Sequence, residues 1–222
     1  MELTHSYSSI SMFESCPLRY YRQRIKKDVT DPGGTAAHYG TAVHEALEAR
    51  LAKGTELPTH LTKYESLCKS MERLVTDIGD MRPEYQMGLD RMLRPCAFDS
   101  SDVWIRGILD VLIYNGALKP AFVFDWKTGK RRPDSFQLKL CAGFVFRHNP
   151  DPKLVKTGFV WLKDMQIDTN DYTREGETEI WKDILTRIKR IEQAVDADTY
   201  PARPSGLCRW CPARTDCEFA QV

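Results

Sequence analysis

The stretch AFVFDWKTGK, residues 121–130, decides how this chain is read. Side chains alternate across a strand, so Ala121, Val123, Asp125 and Lys127 share one face and Phe122, Phe124 and Trp126 the other. The aromatic face is expected to pack on a helix. The opposite face starts apolar and ends in an acid two residues before a base. Most Asp-x-Lys triplets are surface ion pairs, but an exposed pair needs no apolar run leading into it. Gly129 lets the backbone turn sharply or approach a ligand closely. Lys130, Arg131 and Arg132, in KRRP (130–133), add a small basic patch whose plainer reading is a solvated loop.

The segment before it supplies a partner. VWIRGILDVLIY (103–114) reads as a strand and Asn115-Gly116 as a turn. A hairpin of the two strands brings Asp110 beside Asp125. Asp110 stands among Ile108, Leu109, Val111 and Leu112, where an acid is costly unless paired or bound to a metal. Two adjacent carboxylates repel, and a divalent cation relieves that; Mg2+ and Mn2+ suit such oxygen ligands. Lys127 would then orient water at the site or stabilise charge developing on a phosphorane. His44, in the helix GTAVHEALEARLAKG (40–54), and Gln137, near the start of the next helix, are further candidates. A lone helical His is more often surface or satisfied core. Glu84 is a strand acid that could face the same place.

Around this centre the periodicity predicts a helix after Ser8, restarted at Pro17 near Tyr20, and a helix over 60–79 with one continuous apolar face. It predicts strands over 84–89, 103–114, 121–126 and 154–165, and helices over 134–148, capped by Asp134, and 177–195. The fold class is α/β (α+β), a central mixed sheet flanked by helices. The 222 residues, 42% hydrophobic, suffice for one sizeable core. A net charge of +1 excludes a global basic field, so any polyanion site is built locally. No membrane span or signal peptide is legible, and a cytoplasmic location is expected. There the seven cysteines point to metal or burial before disulfides.

The tail CRWCPARTDC places Cys208, Cys211 and Cys217 in a C-x2-C-x5-C run, a moderate metal signal that wants a fourth thiol. Cys68 and Cys141 sit on apolar helix faces and Cys96 in a loop. Cys16, in SCPLRYY, is the better partner, sharing the Cys-Pro step of 211–212. Four cysteines suit zinc or an iron–sulfur cluster alike.

Asp110, Asp125-Trp126-Lys127, GTAVHEAL, GILDVL, FDWKTGK and Gln137 together resemble the PD-(D/E)xK nuclease superfamily, and in particular its RecB-type branch. The likeness runs over residues 8–219 and implies a restriction-endonuclease-like core. It implies a metal ion held by His44, Asp110, Asp125 and the carbonyl of Trp126, with Lys127 at the attacking water and Gln137 nearby. Cys141 stands where that branch usually has Tyr. One early Cys and a C-x2-C-x5-C tail are similar to the AddB nuclease domain and the CRISPR-adaptation exonuclease family, which implies a four-iron four-sulfur cluster on Cys16, Cys208, Cys211 and Cys217. The expected organisation is a single nuclease domain over 1–222, with its core at about 35–198 and a staple formed by 8–25 and 201–219. The implied activity is Mg2+- or Mn2+-dependent DNA exonuclease action on single strands or free ends, in recombination, repair or CRISPR adaptation, in a bacterial or phage-infected cytoplasm. A protein partner such as an annealing protein, a helicase or an integrase fits that setting. The alternative is a non-catalytic nucleic-acid-binding scaffold or subunit. It is weakened because every charged motif residue is present.

Overall fold

The computed structural model describes residues 3–116, 119–132 and 134–220. Pro133, the last residue of the expected basic patch, lies outside them. Six strands form one mixed sheet in the order β2-β1-β3-β4-β5-β6. They are β1 (Met81–Leu89), β2 (Pro95–Cys96), β3 (Ile105–Ile113), β4 (Ala121–Lys127), β5 (Leu154–Trp161) and β6 (Gln166–Thr173). Strands β4 and β5 run parallel and the other neighbours antiparallel. A parallel pair needs a crossover, which α5 (Ser135–His148) provides.

Helices cover both faces, as the alternating pattern requires. Val43, Leu47 and Leu51 of α3 (Thr35–Lys53) recur every four residues and cluster with Val111, Ile113, Trp126 and Val160 of the sheet. Cys68 and Met71 of α4 (Glu65–Ile78) join that cluster, and Phe122 and Phe124 pack against it. On the opposite face Leu138 of α5 packs with Phe159 and Trp161.

Local chemistry sets the element ends. Asp134 caps α5, accepting the N–H of Phe136 at 2.9 Å. Gly54 ends α3 at φ 69°, a conformation a side chain resists. Helix α1 (Tyr7–Ser15) is capped by Ser6 and not by the expected Ser8, because Ser9 returns the bond in a capping box. The chain breaks at Cys16, and α2 (Pro17–Tyr20) starts on Pro17, where the missing N–H costs nothing. A short 3-10 turn, Thr59–Tyr64, replaces the start of the helix expected at 60. The strand expected to reach 165 stops at Trp161 and turns at Met165, φ 52°, into β6. Its sequence, QIDTNDYT, is polar on both faces at a sheet edge and shows no apolar period.

The chain divides into two compact units, Met1–Thr4 with Gly34–Trp181 and His5–Gly33 with Lys182–Val222. The first holds the sheet with α3, α4 and α5. The second joins α1 and α2 to most of α6 (Glu177–Asp196) and the tail. Within the second unit Arg187 of α6 pairs with Glu14 at 2.7 Å, and Tyr21 stacks on Tyr200 with ring centroids 4.5 Å apart. Among the described residues, no helix is long and apolar enough to cross a membrane.

Candidate active site

Strands β3 and β4 pair from Val111–Phe124 to Ile113–Phe122. One step further the same register sets Asp110 across from Asp125. There Asp110 Oδ2 takes the N–H of Trp126 at 2.7 Å. The Trp126 carbonyl accepts from Nε2 of His44 at 3.0 Å, and His44 Nδ1 lies 3.4 Å from Asp110 Oδ2. His44 reaches this point because Gly40, one turn earlier on α3, lies against Thr128; a Cβ there would stand 3.2 Å from the Thr128 hydroxyl.

On the α5 side Asp125 is only 5% exposed. The Lys127 ammonium sits 2.5 Å from its Oδ2. Gln137, in the first turn of α5, donates its amide to the other oxygen of Asp125 and accepts from Lys127 Nζ at 2.8 Å. The acid, the base and the amide therefore close a triangle, with Lys127 also 5.0 Å from the centroid of the Phe159 ring.

Charge is crowded here. Burial, and then the neighbouring Asp110, push the Asp125 carboxyl up to about 7 against the pull of Lys127. Burial and Asp110 likewise push Glu84 up to about 7. Burial works the other way on His44, but Asp110, Asp125 and Glu84 together raise its imidazole above the usual value.

Glu84 carries more of the site than its sequence suggested. Its neighbours pair on either side of Asp110, Pro83 with Val111 and Tyr85 with Leu109, and Glu84 itself has φ 46° in mid-strand. Non-glycine residues in that region are strained and gather at functional sites. Among the described residues, His44, Glu84 and Asp110 form the group whose ligand atoms lie within 4.8 Å of one another. Asp125 is outside it, its oxygens engaged by Lys127 and Gln137. The strand was expected to open at Glu84 itself; it begins at Met81, which moves Glu84 into the middle of the ladder. His44, Glu45, Glu48, Glu84 and Asp110 line a cleft of about 500 Å³. Its carboxylates repel phosphate unless a cation stands between them.

The basic patch is smaller than its sequence. Arg131 Nε bonds Asp168 of β6 at 2.7 Å, and Asp168 also accepts the Trp161 indole N–H at 2.8 Å. Exposed Lys130 and Arg132 remain. Cys68 and Cys141 are buried, and burial raises both thiols. Cys16, Cys208, Cys211 and Cys217 all line one recess of the second unit. The N–H of Arg203 points at Cys16 Sγ, 3.5 Å away, and that of Ser205 at Cys208 Sγ, 3.3 Å away.

These shifts have a measurable consequence. A carboxyl raised from about 4 to about 7 favours the folded state at low pH and loses that advantage as pH climbs through the interval. Raised His44 acts in the same sense above its unfolded value. Asp28 and Asp168, held low by cationic partners, titrate below this range, and His148, lowered by burial, opposes the fall with one proton against the three of Asp125, Glu84 and His44. In EDTA the unfolding free energy from denaturant titration is therefore expected to fall between about pH 4 and 8, by at most about 1.4 kcal/mol per pH unit for each proton involved. Asp110→Asn should flatten the fall. An unfolding free energy that rises over this range refutes the electrostatic account.

The fold agrees with the comparisons. The chain belongs to the PD-(D/E)XK nuclease superfamily, whose family model matches residues 4–218. It has the restriction-endonuclease-like α/β fold, and as a member of a family of metal-dependent nucleases it takes nucleic acid as its substrate class. Among solved structures, a candidate exonuclease from Eubacterium rectale superposes with a TM-score of 0.58 at 13% identity, over 93% of this chain and 87% of that one. The protein SSO0001 matches at a TM-score of 0.44 and 12% identity, over 100% of this chain and 89% of that one. No curated protein matches the chain by sequence.

Proposed function

We propose that this chain is an Mg2+- or Mn2+-dependent deoxyribonuclease of the RecB-type branch, a single nuclease domain acting from the ends of linear DNA in recombination, repair or CRISPR adaptation. One observation carries the reading: Asp110 lies across from Asp125, with Lys127 and Gln137 closed on Asp125 and His44 closed on Asp110. The donor set fits a hard cation, since oxygens and one imidazole converge on a cleft too acidic to take phosphate alone. His44, Asp110, Asp125 and the Trp126 carbonyl would hold the ion, and Glu84 is placed to join them. Bound there, a divalent cation supplies a Lewis acid that makes water more acidic and offsets phosphate charge. Lys127, with its side chain 29% exposed, reaches solvent and donates to the attacking water or to a phosphate oxygen. Asp125 and Gln137 fix the direction of that ammonium.

The four tail-recess cysteines would hold a four-iron four-sulfur cluster. One early cysteine and the C-x2-C-x5-C tail, all four lining one recess, support that reading. The cluster's part is structural, joining Cys16 to the far end of the chain.

The experiment is degradation of end-labelled linear DNA, single- and double-stranded, beside covalently closed circles, with Mn2+ or Mg2+. Linear DNA is expected to disappear while circles survive. Rapid cutting of closed circles would establish endonuclease action, and inertness of metal-loaded protein on every substrate would overturn the enzyme reading.

A further inference from the structure

Trp210 is the most exposed large hydrophobic residue among those described, at 78%. Leu207 and Phe219, in the same tail, are 52% and 45% exposed. Tryptophan is highly buried on average in folded proteins, so an indole this open stands out. Trp210 lies inside the C-x2-C step, and backbone bonds from Cys211 to Cys208 and from Trp210 to Leu207 hold the turn that presents it.

The charge around it names the occupant. From Thr199 to Thr215 the tail has three arginines, Arg203, Arg209 and Arg214, and no acid; Asp216 and Glu218 follow, and Asp216 lies 3.8 Å from the Arg22 guanidinium. The Arg209 guanidinium lies 5.9 Å from the centre of the Trp210 ring. Arg203 is tied to the Glu14 carbonyl at 2.6 Å. Among the described residues, Arg209 and Arg214 have no carboxylate partner and both are exposed. A protein partner would need only the apolar surface. An unpaired nucleic-acid strand takes an aromatic face for a base and cations for its phosphates, and this tail carries both.

We infer that Trp210, with Arg209 and Arg214, is a contact for single-stranded nucleic acid, one base stacking on the indole and the flanking phosphates meeting the two guanidinium groups. This deepens the nuclease reading and rests on it for the kind of ligand. It places a substrate-gripping element on the cysteine-bearing unit, apart from the metal-ligand residues in sequence.

The test is fluorescence anisotropy of a labelled oligo-dT strand bound to the full chain in EDTA, where cleavage is blocked. Trp210→Ala is expected to weaken binding about tenfold, within the range of one base–aromatic stack, and Trp210→Phe to retain most of it. Arg209→Ala and Arg214→Ala should each lower the slope of log affinity against log salt by about 0.7, whereas Trp210→Ala leaves the slope unchanged. The iron or zinc content of each variant checks that the tail is intact. If Trp210→Ala, with native metal content, binds as well as the wild type, the inference is overturned, as it is if the wild-type chain does not bind the strand. A Trp210-dependent strand contact in a chain that cleaves nothing upholds the contact and overturns the nuclease reading.

Discussion

Lys127→Ala is expected to lower metal-dependent cleavage of linear DNA by about 10²- to 10⁴-fold, the range for loss of a positioned proton-transfer or charge-stabilising group. The ammonium is pinned from two sides, by Asp125 at 2.5 Å and Gln137 at 2.8 Å, and it still reaches solvent. A lysine that served only to neutralise Asp125 would be as buried as its partner. Removing it also leaves a nearly inaccessible carboxylate beside Asp110 with only His44 as countercharge, so Asp125 should hold its proton to still higher pH. Two readouts separate these effects. Single-turnover cleavage reports the loss of chemistry, and Mn2+ titration by calorimetry reports whether the ligands remain able to bind. Cleavage within a few-fold of wild type, at unchanged metal affinity, would remove Lys127 from the mechanism.

Cys208→Ser carries the second large expectation. Structural metal sites contribute roughly 10–16 kcal/mol in small zinc-binding peptides, because the site does not exist in the unfolded chain. In a chain with its own hydrophobic core the loss is smaller. A few kcal/mol corresponds to roughly 10 °C in melting temperature at 2–4 °C per kcal/mol for this size. The variant is expected to melt about that much lower and to expose the tail from 201 onward to protease. Anaerobically purified wild type should be brown with broad visible absorption, and the variant should lose that colour. Colourless wild-type protein with one equivalent of zinc would replace iron–sulfur by zinc. Wild type with neither metal, melting with the variant, would leave the four cysteines without a cofactor role.

Much of the candidate site was legible because the β4 run has a strict period and ends in charge. Asp125, Lys127 and Asp110 could be placed from alternation and a hairpin turn alone, and the observed register agrees with that placement. His44 was harder, since nothing local distinguishes it from a surface histidine; its contacts to Asp110 and Trp126 span 66 and 82 positions by their numbers. Glu84 was underweighted because its strand lacks an apolar start: Arg82 and Pro83 hide the first residues of β1. Strand β6 left no trace, having no buried face to write an alternating pattern. Arg131 pairs with Asp168 of that strand, so its loss from the basic patch leaves no local signal in the sequence either.

Trp126 joins two kinds of environment in one residue. Its indole, 2% exposed, belongs to the apolar cluster of α3 and α4, while its N–H and C=O are both held by the polar groups of the site. The geometry of the proposed cation ligands is thereby calibrated by the hydrophobic filling beneath α3 and α4. Substitutions at Leu47, Cys68 or Met71 that preserve the fold but loosen it would detune the enzyme before they denatured it. Drift in this core is consequently restrained by the chemistry as well as by stability, and a thermostabilised redesign that repacks it would have to keep the tryptophan where it is.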